Sequence, residues 1–149
     1  MWRQADELVG GDKAWLIIDD TALPKKGKAS VGVAPQYATV LGKNANCQTL
    51  VSVTLASGEV PVMLGLRLYL PESWTSDTAR MERAGVPNDF QAYRTKPDIA
   101  IEEIDRVIAA GVRFGCVLAQ LEQCFWERHF CSMTCTHQRE CYHYIFGVG

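Results

Sequence analysis

The chain has 149 residues, 48% of them hydrophobic and 21% charged, which suits one globular domain and excludes a disordered or fibrous chain. Its 15 Lys and Arg nearly balance 17 Asp and Glu, for a net charge of −2, so nucleic-acid binding needs a local argument and not a global one. No apolar run approaches the ~20 residues of a membrane span, and Met1-Trp2-Arg3-Gln4-Ala5-Asp6-Glu7 lacks the apolar core of a signal peptide. A cytoplasmic chain with no membrane partner and six reduced cysteines is expected.

The first clear element is Trp15-Leu16-Ile17-Ile18, a continuous apolar run expected to be a strand buried on both faces, and it leads straight into Asp19-Asp20. From Thr21 to Gly58 there is no acidic residue, while Lys25, Lys26, Lys28 and Lys43 supply positive charge. Gly27, Gly32, Gly42, Pro24 and Pro35 make this stretch loop-rich. A strand is expected over 48–55, with Thr49, Val51, Val53 and Leu55 on one face and Gln48, Ser52 and Thr54 on the other. After a turn at Ser57-Gly58-Glu59, Val60, Val62, Leu64, Leu66, Leu68 and Leu70 alternate with Pro61, Met63, Gly65, Arg67 and Tyr69, a period-two pattern ended by Pro71.

Residues 71–94 are polar and expected to be irregular or partly helical. Thr95-Lys96-Pro97-Asp98 reads as a helix start, with Thr95 as N-cap and Asp98 at the third position. Ile101, Ile104 and Ile108 then fall on one face with Val107 beside it, and Gly111 is a stop. Phe114 to Ala119 is a further core strand. This order suits an α/β fold, a mixed sheet covered by helices.

Composition breaks at Ala119. Residues 1–119 hold only Cys47 and Cys116 and no histidine, whereas residues 120–149 hold Cys124, Cys131, Cys135, Cys141, His129, His137 and His143. The Cys131/Cys135 and His137/His143 spacings are ligand-like, but one residue separates Cys135 from His137 where a zinc finger needs about twelve. A shifted reading frame or a fusion scar is preferred, and the tail is expected to be irregular or non-native. The alternative is a small non-catalytic DNA-binding protein whose tail holds zinc.

Two adjacent carboxylates after a buried strand are costly without a partner, and a divalent cation is the usual one. Neighbouring strand residues point to opposite faces, so one of the pair aims into a shared site. Asp20 is preferred over Asp19 as metal ligand, and a merely solvated strand end carries equal weight on composition alone. With the Lys25-Lys26-Gly27-Lys28 cluster alongside, the arrangement suits a phosphodiester substrate. Gly42-Lys43 is not a P-loop, because Asn44 stands in place of Ser or Thr.

Asp19-Asp20-Thr21-Ala22-Leu23-Pro24-Lys25-Lys26-Gly27-Lys28 resembles the first acidic motif of the DDE superfamily endonuclease domain in bacterial insertion-sequence transposases. The resemblance covers 12–119 and extends through Ser30–Ala34, Gly42–Gln48, Ala84–Pro87, Arg94–Pro97 and the long unbroken Arg67-Leu68-Tyr69-Leu70-Pro71-Glu72-Ser73-Trp74. It implies an RNase H-like fold in which an Asp on the first strand, an Asp at the end of the fourth and a later Glu hold two Mg2+ or Mn2+ ions that cut and join DNA. It makes Asp20 or Asp19 the first acid and insertion-sequence ends the DNA partner; beside that acid Lys25, Lys26, Lys28 and Lys43 are the expected DNA contacts, although the cluster taken alone reads as a solvated turn, and an oligomer with a full-length transposase is a further expected partner. The chain departs from the pattern at Ala119-Gln120-Leu121-Glu122, where Ala-Asp and a glycine-containing turn are expected. The expectation is therefore a domain over 1–119, incomplete at both ends, shifted in frame over 120–149, and inactive alone.

Overall fold

The computed structural model describes residues 2–38, 41–120 and 143–146. Its elements in chain order are α1 (Trp2–Val9), β1 (Gly11–Pro24), β2 (Ala34–Ala38), β3 (Lys43–Ser57), β4 (Val60–Tyr69), α2 (Glu72–Thr75), α3 (Thr78–Arg83), a 3-10 turn (Asn88–Phe90), α4 (Lys96–Ala109), β5 (Phe114–Gln120) and β6 (His143–Phe146). None of the described helices is long and apolar enough to cross a membrane. The strands form one mixed sheet in the order β2-β3-β1-β5-β6, with β4 also paired to β3. Pairings β1–β3, β2–β3 and β3–β4 are antiparallel, while β1–β5 and β5–β6 are parallel. A mixed sheet flanked by helices is the architecture the sequence led us to expect.

Among the described residues the larger of two core clusters lies on one face, and a smaller one gathers Leu70, Trp74 and Met81 with Leu68. Leu16 and Ile18 of β1, Val51, Val53 and Leu55 of β3, Leu64 of β4 and Val117 of β5 pack with Ala5 and Val9 of α1 and with Ile99, Ala100, Ile104 and Val107 of α4. Helix α4 is nucleated as its sequence dictates. The Thr95 side chain accepts from the Asp98 amide and Asp98 reaches back to the Thr95 amide, a complete capping box, and Gly111 follows the helix at φ +74°. Its buried stripe is Ile99, Ala100, Glu103, Ile104 and Val107, and Ile101 and Ile108 sit at the margin, half-buried.

Four expectations change. Helix α1 was not expected from the sequence; it is short, and its Ala5 and Val9 stripe is legible only against the sheet it covers. Strand β2 occupies part of the stretch read as loop. The acidic pair is not at the end of β1: the ladder continues through Thr21↔Leu50, Ala22↔Thr49 and Leu23↔Gln48 to Pro24↔Cys47, because the polar start of β3 supplies partners beyond the apolar run. The alternation of β4 is broken by a register shift, where Thr54 pairs Met63 but Val53 pairs Gly65, so Leu64 is the extra residue. Val62 and Leu64 stay on the helix-covered face, and beyond the shift Arg67 and Tyr69 join them, while Leu66 and Leu68 turn to the opposite face.

Candidate functional site

Register places each acid of the pair. Asp20 pairs Val51 and shares the face of Leu16 and Ile18, the face covered by α4, while Asp19 pairs Ser52 and takes the opposite face. Asp20 is ion-paired to Lys96, with side-chain exposures of 14% and 19%. Lys96 is the first residue of α4, and its Nζ lies 5.8 Å from the centroid of the Tyr69 ring. Burial, together with a hydrogen bond to Tyr93, pushes the Tyr69 hydroxyl up to about 12. Three of the recognised stretches, 19–28, 67–74 and 94–97, therefore converge on one carboxylate.

Asp19 accepts a hydrogen bond from the Asp20 amide at 2.8 Å, and its backbone oxygen accepts from Ser52 Oγ at 3.2 Å. Burial raises the Asp19 carboxyl above its ordinary range; the Asp20 amide opposes that and the neighbouring Asp20 charge adds to it. Across the parallel pairing, Asp19 lies in register with Gln120 of β5.

The basic residues lie farther along the same ribbon. Lys25, Lys26 and Lys28 are exposed on a loop pinned by its backbone: Asn46 Nδ2 donates to Lys25 O and Gly27 O at 2.8 Å each, Gln48 to Val31 O at 2.7 Å, and Arg80 to Lys28 O at 3.0 Å. The buried Trp74 holds this loop from behind, donating to Val33 O at 2.9 Å, with Arg80 stacked 3.6 Å over its ring. Lys43 pairs with Ala38 where β3 begins. At ~3.3 Å per residue, the β3 positions from 43 to 51 put it roughly 25 Å from the Asp20 row, so the lysines extend away from the acids and do not encircle them.

Lys96 was not singled out in the sequence, although a physical signal was present. A cation in the first turn of a helix opposes the helix dipole and needs a carboxylate to offset it. The same convergence brings in Glu103 of α4, 4% exposed, which accepts from Arg67 at 3.1 Å and from Arg106 at 2.8 Å. Glu102 is paired with Arg67 at 2.8 Å and Arg94 at 2.6 Å. The Cys/His spacings between Cys124 and His143 lie outside the described side chains.

The family model for the DDE superfamily endonuclease matches residues 1–122. The chain belongs to that family. The match begins before residue 12 and passes Ala119, so it takes in α1 and the Gln120 position. No curated protein and no solved structure matches. DDE nucleases in general use divalent metals, and an aspartate oxygen is a suitable hard ligand. In this DDE domain, however, the two acids face opposite sides of β1, Asp20 is held by Lys96, and no group of three His, Cys, Asp or Glu side chains comes together among the described residues. The described residues therefore do not by themselves fit a two-metal site.

Proposed function

We propose that this chain carries the first acidic position of an insertion-sequence transposase domain, built to engage bacterial DNA in the cytoplasm at insertion-sequence ends, and that the 149-residue chain does not cut or join DNA by itself. Asp19-Asp20 is the first acidic position, and Lys25, Lys26, Lys28 and Lys43 are the DNA backbone contacts. Family membership over most of the chain supports the nuclease ancestry. The observation that carries the inactivity is the state of the acids: Gln120 stands in register with Asp19, and Asp20 has an ammonium as partner. Among the described residues β1 offers one carboxylate to each face and no group of three ligands comes together, too few charged ligands for two Mg2+ ions, which keep most of their water and bind through carboxylates and phosphates.

The test is a nicking and strand-transfer assay on supercoiled and nicked DNA with the purified chain in Mg2+ or Mn2+. The expected outcome is the same background for the chain and for its Asp20→Ala variant. Metal-dependent turnover abolished by Asp20→Ala would overturn the reading.

A further inference from the structure

We infer, on the reading of Asp19-Asp20 as the family's first acidic position, that Lys96 is the resident cation of Asp20 and shuts a divalent ion out of the α4 face of β1. The ammonium sits directly on the carboxylate, and both side chains are mostly buried. The Tyr69 ring flanks the ammonium at 5.8 Å and presents an aromatic face there. The lysine starts from a fixed point, because the Thr95–Asp98 capping box and Pro97 set the first turn of α4.

Three of the four acids of α4 are already engaged, Asp98 by Thr95 in the capping box and Glu102 and Glu103 by arginines, and the fourth, Asp105, is exposed. Glu103 is engaged by Arg67 and Arg106, and Glu102 by Arg67 and Arg94. Mg2+ demands near-octahedral oxygen coordination and gives up water reluctantly, so the space at Asp20 is better matched to an ammonium. Lys96 thus neutralises the acid that the α4 face carries, offsets its own poor placement at the helix start, and leaves Asp19 as the member of the pair without an ion-pair partner among the described residues.

Mn2+ affinity of the purified chain, read by water-proton relaxation, tests this in a set of variants. Lys96→Gln is expected to bind Mn2+ at least about tenfold more tightly than the parent, the lower end of the scale for removing a unit charge a few ångströms from a mostly buried carboxylate. Lys25→Gln, which removes the same charge from the exposed loop, is expected to stay within about twofold. Adding Asp20→Asn to Lys96→Gln is expected to abolish the gain.

An equal gain in Lys25→Gln, or no gain in Lys96→Gln, overturns the role of Lys96 while leaving the acidic position standing. A gain that survives Asp20→Asn and disappears with Asp19→Asn overturns the assignment of Asp20 as the partner of the Lys96 charge. A measurement on the parent covers the case of a variant that does not fold. The 15N signal of the Lys96 ammonium is expected to stay paired through ~10 mM Mg2+, and its release at lower Mg2+ overturns the exclusion.

Discussion

Arg67 shows how one residue can carry several links. Its guanidinium reaches Glu102 at 2.8 Å and Glu103 at 3.1 Å and lies 5.3 Å from the Phe90 ring centroid. Removing it leaves the buried Glu103 with Arg106 alone, so Arg67→Ala is expected to cost about 2–3 kcal/mol in urea unfolding, and adding Glu103→Gln to recover part of that loss. Two aspartates set opposite pH slopes. The Arg113 amide, opposed by burial and aided by the Arg113 guanidinium, lowers the Asp6 carboxyl, so its contribution is present above the ordinary carboxylate range and lost as pH falls through the lowered value. The Asp19 carboxyl is raised by burial, so its contribution is present at acid pH and lost as pH rises through the raised value. In unfolding measured against pH, Asp6→Asn should therefore destabilise at pH 7 more than at pH 3, and Asp19→Asn should stabilise at pH 7 relative to its effect at pH 3. The acidic pair and its opposite faces were legible from strand alternation, whereas the Lys96 partner was not, because the pairing joins positions 76 apart in the chain.

Among the elements, those whose signal is local were readable and those defined by a neighbour were not. The capping box of α4 lies within four residues, and the apolar run of β5 is continuous, so both emerged from sequence with their bounds nearly right. Strand β4 misled because period two has no way to announce an extra residue; the Leu64 shift is set by pairing with β3, and it is what brings Arg67 and Tyr69 to the α4 side. Helix α1 and strand β2 depend on the sheet they dock on. The β1–β5 pairing has its own constraint at Gly115, where an added Cβ would meet the Asp12 carbonyl oxygen at 1.9 Å. Backbone cannot yield as a flexible side chain does, so Gly115→Ala is expected to separate these strands locally and cost about 1–3 kcal/mol in thermal or urea unfolding. Thr95→Ala, which loses only the cap, should cost about 1 kcal/mol by the same measurement.

At the scale of the molecule, core and charge are separated along β1 and β3. The apolar rows carry the core on the α1 and α4 side, the acids follow them, and beyond the acids the ribbon continues into the pinned basic loop and the Lys43 turn. A net charge of −2 conceals this arrangement, because the acidic residues are absent from 21–58 and lie elsewhere in the chain. If the ribbon is the DNA-facing surface, affinity should be governed by counterion release at these lysines. Neutralising Lys25, Lys26 and Lys28 together should flatten the slope of log K against log salt by roughly 2.7, at about 0.9 for each duplex phosphate that no longer meets an ammonium, and Lys43→Gln should add roughly 0.9 more. Anisotropy titrations of a fluorescent duplex over a range of salt concentrations read this directly. The loop is pinned through backbone carbonyls and Trp74, not through the ammonium groups, so these substitutions should leave unfolding within about 0.5 kcal/mol of the parent. An unchanged salt slope with an intact fold would separate the basic loop from DNA altogether and leave the acidic pair to carry, among the described residues, the case for phosphodiester chemistry.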